Sequence, residues 1–170
     1  MSRVAATAFA LLTALLLPVA AQEPNAAGAG AADQPLDIVE ALPRTYTGEF
    51  RWLAGGPAQK VDIRINSVTR RDENTVEATG CGRYDVVGRI TTIRVTMTIN
   101  STNRAVEIWE LDPVGSAPFS IDGSHRGKLS DDLKTIQTLW LHRPDWRIGS
   151  LQLRAGGSLS CAVEVSLQTS

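Results

Sequence analysis

The chain predicts an all-β fold: an antiparallel, up-and-down barrel of eight or nine strands, with a β-sandwich as the alternative. Three observations carry this expectation. After Arg44, apolar and polar residues alternate with a period of two, the pattern of a sheet with one buried and one solvated face. Clusters of turn-forming residues fall where the alternating runs end. No stretch after Pro43 has room for the crossover helix that parallel pairing would require. Closure into a barrel is preferred to a sandwich because it removes the exposed edge strands of a solitary sheet.

The chain opens on an export signal. Arg3 supplies a positive start, Val4 to Leu17 is apolar apart from Thr7 and Thr13, and Pro18 ends the run. Val19-Ala20-Ala21 then places small residues where a signal peptidase reads them, with cleavage before Gln22. The apolar stretch falls short of the about 20 residues of a membrane-spanning helix, so no membrane span is expected after cleavage. The destination is the periplasm or the exterior. Residues 22–36, rich in Ala, Gly and Pro, bury too little surface to order themselves and read as a flexible tether. Residues 37–170 are expected to form one barrel domain. Leu36 to Leu42 has the apolar content of a short helical segment that docks onto it.

Strands are expected at about 45–54, 59–69, 75–85, 89–100, 104–111, 118–124, 134–142, 148–154 and 158–167. The clearest are three. Val61, Ile63 and Ile65 share one face; Ile93, Val95, Met97 and Ile99 oppose Arg94, Thr96 and Thr98; and Cys161, Val163, Val165 and Leu167 oppose Ala162, Glu164 and Ser166. The links Ala54-Gly55-Gly56-Pro57, Arg71-Asp72-Glu73-Asn74, Asn100-Ser101-Thr102-Asn103, Ser130-Asp131-Asp132 and Ala155-Gly156-Gly157 carry turn chemistry.

Composition narrows the function classes. The 170 residues hold 17 basic and 18 acidic side chains, a net charge of −1, which lacks the basic excess of a nucleic-acid binder. Two Cys and two His would all have to converge to make a four-ligand zinc module, so no metal site is expected. No phosphate-cradling loop or calcium loop occurs, and no cofactor is expected. In an oxidising compartment the two cysteines imply one disulfide, Cys81–Cys161. Alternation points Cys81 outward and Cys161 inward, a conflict that a bulge at Gly80 or Gly82 would relieve.

Several short segments carry a resemblance. Gly123-Ser124-His125-Arg126-Gly127-Lys128-Leu129, Ser130-Asp131-Asp132, Ile136, Trp140 and Gly149-Ser150-Leu151-Gln152-Leu153 follow a cadence of Gly-x-Leu, Asp turn, Ile, Trp and Gly-x-Leu-x-Leu. With the opening Tyr46-Thr47-Gly48-Glu49-Phe50-Arg51-Trp52, this resembles lipocalin-like and other calycin-type small barrels. Thr79-Gly80, Gly82-Arg83-Tyr84-Asp85 and Thr138-Leu139-Trp140-Leu141 are also similar to avidin-type barrels. That resemblance implies Tyr and Trp residues lining a ligand pocket.

Asp122, Ser124 and His125 supply the residue types of a hydrolase triad, but sequence-adjacent Ser and His are badly placed for each other, and the segment reads as a strand-to-turn corner. His142-Arg143-Pro144-Asp145-Trp146 reads as a hairpin end whose Trp146 could serve recognition. The four Trp residues suggest either core packing or a cup lined by Trp52, Tyr84, Trp109 and Trp140. The leading functional expectation is an exported, non-enzymatic protein that binds a small apolar or amphipathic molecule. The alternative is a protein-interaction module with a filled barrel, its partner an envelope protein or an exported hydrolase.

Overall fold

The structure is a computed structural model and describes residues 36–116, 119–142 and 146–161. A short helix, α1 (Ile38–Ala41), is followed by β1 (Thr45–Trp52), β2 (Gln59–Arg70), β3 (Thr75–Val86), β4 (Arg89–Asn100), β5 (Ala105–Gly115), β6 (His125–Leu129), β7 (Thr135–Leu141) and β8 (Ile148–Ala155). Each strand pairs antiparallel with the next, and β8 pairs with β1 to close the barrel. This is the all-β, up-and-down architecture that the alternation predicts. It is also the architecture of calycin-like barrels.

The inward rows explain why these segments are strands. Val61, Ile63 and Ile65 of β2, Ile93, Val95, Met97 and Ile99 of β4, Val106 and Ile108 of β5, and Leu151 and Leu153 of β8 are all buried. Their outward neighbours are mostly charged or polar, so a one-residue slip would expose the core row and bury charges.

Two strand expectations need correction. Of the strand expected at 118–124, residues 119–124 are not strand, and 118 lies outside the described residues: β5 runs on to Gly115, and the next strand is β6 at His125–Leu129, inside the stretch expected to be a corner. Its inward row is His125, Gly127 and Leu129, so two of three inward residues do not look like core. Gly127 is required there, because a Cβ would lie 1.9 Å from the carbonyl oxygen of Gln137 on the adjoining strand. The ninth strand, 158–167, is also absent where it can be seen. Residues 158–161 are not strand, and 162–167 lie outside the described residues.

That second correction removes the cysteine conflict. The bulge near this site lies in β2, between Ile65 and Ser67, while β3 stays regular through Gly80, Cys81 and Gly82. Cys81 therefore points outward, as alternation requires. After β8 the chain crosses the outside of the barrel: Gly157 approaches Thr47, Arg64 Nη1 donates to the carbonyl of Leu159 at 3.3 Å, and Cys161 forms the disulfide with Cys81 at a Cα–Cα distance of 6.0 Å. A disulfide fits an oxidising, extracytoplasmic setting. Under this strap Asp62 is buried although its strand position faces outward, accepting from Thr47 Oγ1 at 2.6 Å and Arg83 Nη2 at 2.7 Å.

One end of the barrel is closed. Asp37 caps α1 by accepting from the Val39 amide at 2.9 Å and pairs with Arg70 at 2.8 Å, while Arg104 donates to the Leu36 carbonyl. These contacts hold Ile38 and Leu42 in the core beside Tyr46 and Leu133. The Tyr46 hydroxyl donates to the Leu133 carbonyl at 2.7 Å, and burial pushes its ionisation well above the usual phenol range. The expected signal peptide, residues 1–21, and residues 22–35 of the expected tether lie outside the described residues. Among the described residues no helix is long and apolar enough to cross a membrane.

Candidate functional site

The β1–β2, β3–β4, β5–β6 and β7–β8 links lie at the other end, and here the filling stops. A cavity of about 310 Å³ opens between them. Phe50 is one of the residues that line it. The inward row of β1 carries Tyr46, Gly48, Phe50 and Trp52, and the last two reach this level. Gly149 of β8, the pairing partner of Trp52 and of Trp140, leaves the space that the Phe50 ring occupies: a Cβ on Gly149 would lie 2.0 Å from Phe50 Cζ. Phe50 meets Trp52, Tyr84, His125 and Trp140 edge to face, with ring centroids 5.1 to 6.4 Å apart, the preferred geometry for aromatic pairs.

The β5–β6 link adds Phe119, whose ring lies 4.9 Å from that of Tyr84. The β7–β8 link adds Arg147, whose guanidinium lies 4.4 Å over the Trp52 ring. Gln59 and Ser120 complete a polar edge at the mouth. His142 stands against Trp140 and Trp52 at centroid distances of 5.3 and 6.4 Å.

Three buried polar side chains interrupt this aromatic lining. Glu110 follows Val106 and Ile108 on the inward row of β5 and is 6% exposed. Its Oε1 accepts from the Tyr84 hydroxyl and lies 3.2 Å from His125 Nε2. Burial, and then the charge and hydrogen bond of Glu110, push Tyr84 well above the usual phenol range, so Tyr84 remains a neutral donor. Nδ1 of the His125 ring is buried and, among the described residues, has no hydrogen-bond partner, and the same holds for Thr138 Oγ1 on the inward row of β7. Unmet buried polar atoms cost of order 1–3 kcal/mol each, and here one of the two belongs to a ring that lines a cavity.

Trp52, Tyr84 and Trp140, three residues of the expected cup, therefore line this cavity. Trp109 does not. It lies between the inward residues Ile108 and Glu110 and faces outward, 39% exposed, so the four-residue lining is corrected at that position. Glu110 and Phe119 take part without having been singled out, and Phe50 and His125, which the sequence offered only within a first-strand motif and a triad-like corner, take part as well. Asp122, Ser124 and His125 do not assemble into a triad: Ser124 Oγ donates to Glu107 at 2.7 Å on the outer face, Asp122 accepts from Ser120 at 3.3 Å, and His125 faces inward. In the His142–Trp146 segment, Trp146 is strongly exposed, and residues 143–145 lie outside the described residues. Among the described residues no group of three or more His, Cys, Asp or Glu side chains could hold a metal ion.

The arrangement can take up an apolar body between aromatic rings and engage one polar group at the Glu110–His125 floor. No family model, curated protein or solved structure matches the chain.

Proposed function

We propose that the protein is an exported, non-enzymatic binding protein that holds a small apolar or amphipathic molecule in the open end of its barrel. The observation that carries this reading is the 310 Å³ cavity, with aromatic walls above the buried Glu110, His125 and Tyr84. An eight-stranded barrel has room for its own side chains or for one small ligand. The lower levels are filled by residues such as Ile63, Val95, Met97 and Ile108, whereas the upper level is open. The volume lies at the small end of ligand pockets, about 300–1,000 Å³, which suits a molecule of modest size. A polar floor beneath apolar walls favours an amphipathic ligand over a purely apolar one.

In this reading the likeness to lipocalin-type barrels extends from architecture to use, with the ligand entering at one open end. The disulfide supports an oxidising compartment. The leader at Arg3, Val4 to Leu17 and Val19-Ala20-Ala21 narrows that to the periplasm or the exterior. Native mass spectrometry of protein purified from its own source tests the proposal. A small molecule retained by the intact chain, and lost on unfolding, is the expected result. An empty chain that also fails to bind a library of small amphiphiles overturns it.

A second reading, a protein-interaction module, draws on the rim. Leu53, Val87, Ile121 and Trp146, from the four links around the mouth, are all exposed. An envelope protein that co-purifies with an empty barrel, and whose binding is lost when Trp146 is replaced by Ser, would favour this alternative.

A further inference from the structure

The cavity floor is built around a buried carboxylate. The Tyr84 hydroxyl donates to Glu110 Oε1, His125 Nε2 lies 3.2 Å from the same oxygen, and among the described residues Glu110 Oε2 receives no hydrogen bond. Among the described residues the ion-pair partner of Glu110 is His125 alone, so no Arg or Lys neutralises the carboxylate. Above it stand the rings of Phe50, Trp52, Tyr84, Phe119 and Trp140, whose faces carry negative quadrupole charge.

These features select the sign of the ligand. A carboxylate or phosphate entering the floor would meet the Glu110 carboxylate, with like charge opposing it at low dielectric. A purely apolar group would leave Oε2 dry and unpaired, which is costly for a buried charge. A positively charged nitrogen donates to Oε2 and is attracted to the ring faces. The mouth already shows the second of these attractions, in the Arg147 guanidinium over Trp52 at 4.4 Å.

We infer that the cavity takes an amphipathic amine, whose ammonium group sits against Glu110 and whose apolar body lies between the aromatic walls. This inference rests on the reading of the cavity as a ligand site. Its test uses three probes of matched size, 2-phenylethylamine, 2-phenylethanol and 3-phenylpropionate, titrated into the oxidised protein at pH 7. Calorimetry and the emission of Trp52 and Trp140 report binding.

The amine is expected to bind about tenfold or more tightly than the alcohol, as a desolvated charge pair with ring contacts allows. The carboxylate is expected to bind more weakly than the alcohol. Glu110→Gln, which keeps an oxygen acceptor for Tyr84, is expected to bring the amine-to-alcohol ratio to about one. The wild-type series decides the matter even if that variant folds poorly. Binding of 3-phenylpropionate as tight as that of the amine, or an amine preference retained in Glu110→Gln, overturns the ammonium inference and leaves the cavity reading intact. Failure of all three probes to bind the folded protein overturns the cavity reading itself.

Discussion

Gly149→Ala is a one-methyl perturbation aimed at the aromatic wall of the cavity. The added Cβ would lie 2.0, 2.3 and 3.1 Å from three carbons of the Phe50 ring. Carbon atoms at optimal contact are about 3.5–4.0 Å apart, so the ring or β8 must yield by about 1.5 Å. β8 is held on both sides, by β1 and by β7, which leaves the ring as the part that moves. Phe50 is enclosed by Trp52, Tyr84, His125 and Trp140, and its one open side is the cavity. The variant should therefore be destabilised by about 2 kcal/mol, within the usual range for overpacking, and its cavity should shrink. For a domain of this size that is a fall in Tm of roughly 8 °C. Urea unfolding followed by Trp emission measures the first effect, and titration with 2-phenylethanol measures the second. Phe50→Leu removes the clash, so the double variant should be at least about 1 kcal/mol more stable than the sum of the two single changes predicts. Wild-type stability in Gly149→Ala, or strict additivity with Phe50→Leu, would refute the packing argument.

The remaining predictions concern the scaffold. Val87 and Gly88 form the tight β3–β4 turn with φ of 53° and 79°, a type I′ geometry that suits Asn and strains a β-branched residue. Val87 is 80% exposed, so Val87→Asn should gain about 1 kcal/mol in denaturant unfolding at no packing cost. The disulfide closes an 80-residue separation, for which loop-closure entropy gives an upper figure of about 4.5 kcal/mol. Cys161→Ser should lose 2 to about 4.5 kcal/mol, and reductant should produce the same loss in the wild type but none in the variant. At Asp62, burial alone would push the carboxyl up, but hydrogen bonds from Thr47 and Arg83 and the charges of Lys60 and Arg83 outweigh it and hold it below its ordinary 3.8. A carboxyl lowered by folding contributes stability that is complete above its unfolded value and is lost as pH falls through the folded one. Asp62→Asn should therefore be the less stable protein at pH 7, by of order 1 kcal/mol, and the gap in urea midpoints should close as pH falls below the ordinary carboxyl value.

Most of the barrel was legible because its signal is local. Val61, Ile63 and Ile65, or Ile93 to Ile99, alternate so cleanly that strand, buried face and neighbours follow from the period alone. β6 was not legible, because its inward row of His125, Gly127 and Leu129 is dictated by surroundings that the sequence does not name. Gly127 lies against the Gln137 carbonyl, and His125 lies opposite Glu110. Cys161 misled for the opposite reason. Leu159, Cys161 and Val163 alternate as a strand would, yet through Cys161 the segment is tied across the outside by Arg64 and Cys81.

The candidate site was half legible, and Trp109 and Glu110 show why. In Val106-Glu107-Ile108-Trp109-Glu110-Leu111, the inward row is set by Val106 and Ile108, and continuing it by two residues reaches Glu110. Alternation thus excludes Trp109 from the interior and places a carboxylate there instead. The aromatic content of a ligand pocket argued for Trp109, and the cost of burying a charge argued against Glu110. Tyr84 and His125 lower that cost, and both approach from strands distant in sequence, β3 and β6, which no local pattern reveals. A core position filled by Glu has few uses in a barrel whose other levels are Ile, Val and Leu. Replacing the trio by apolar residues of similar volume would be neutral or stabilising if packing were its whole purpose. The carboxylate, with one oxygen held and the other accepting no hydrogen bond among the described residues, is better accounted for by the amine ligand proposed for the cavity.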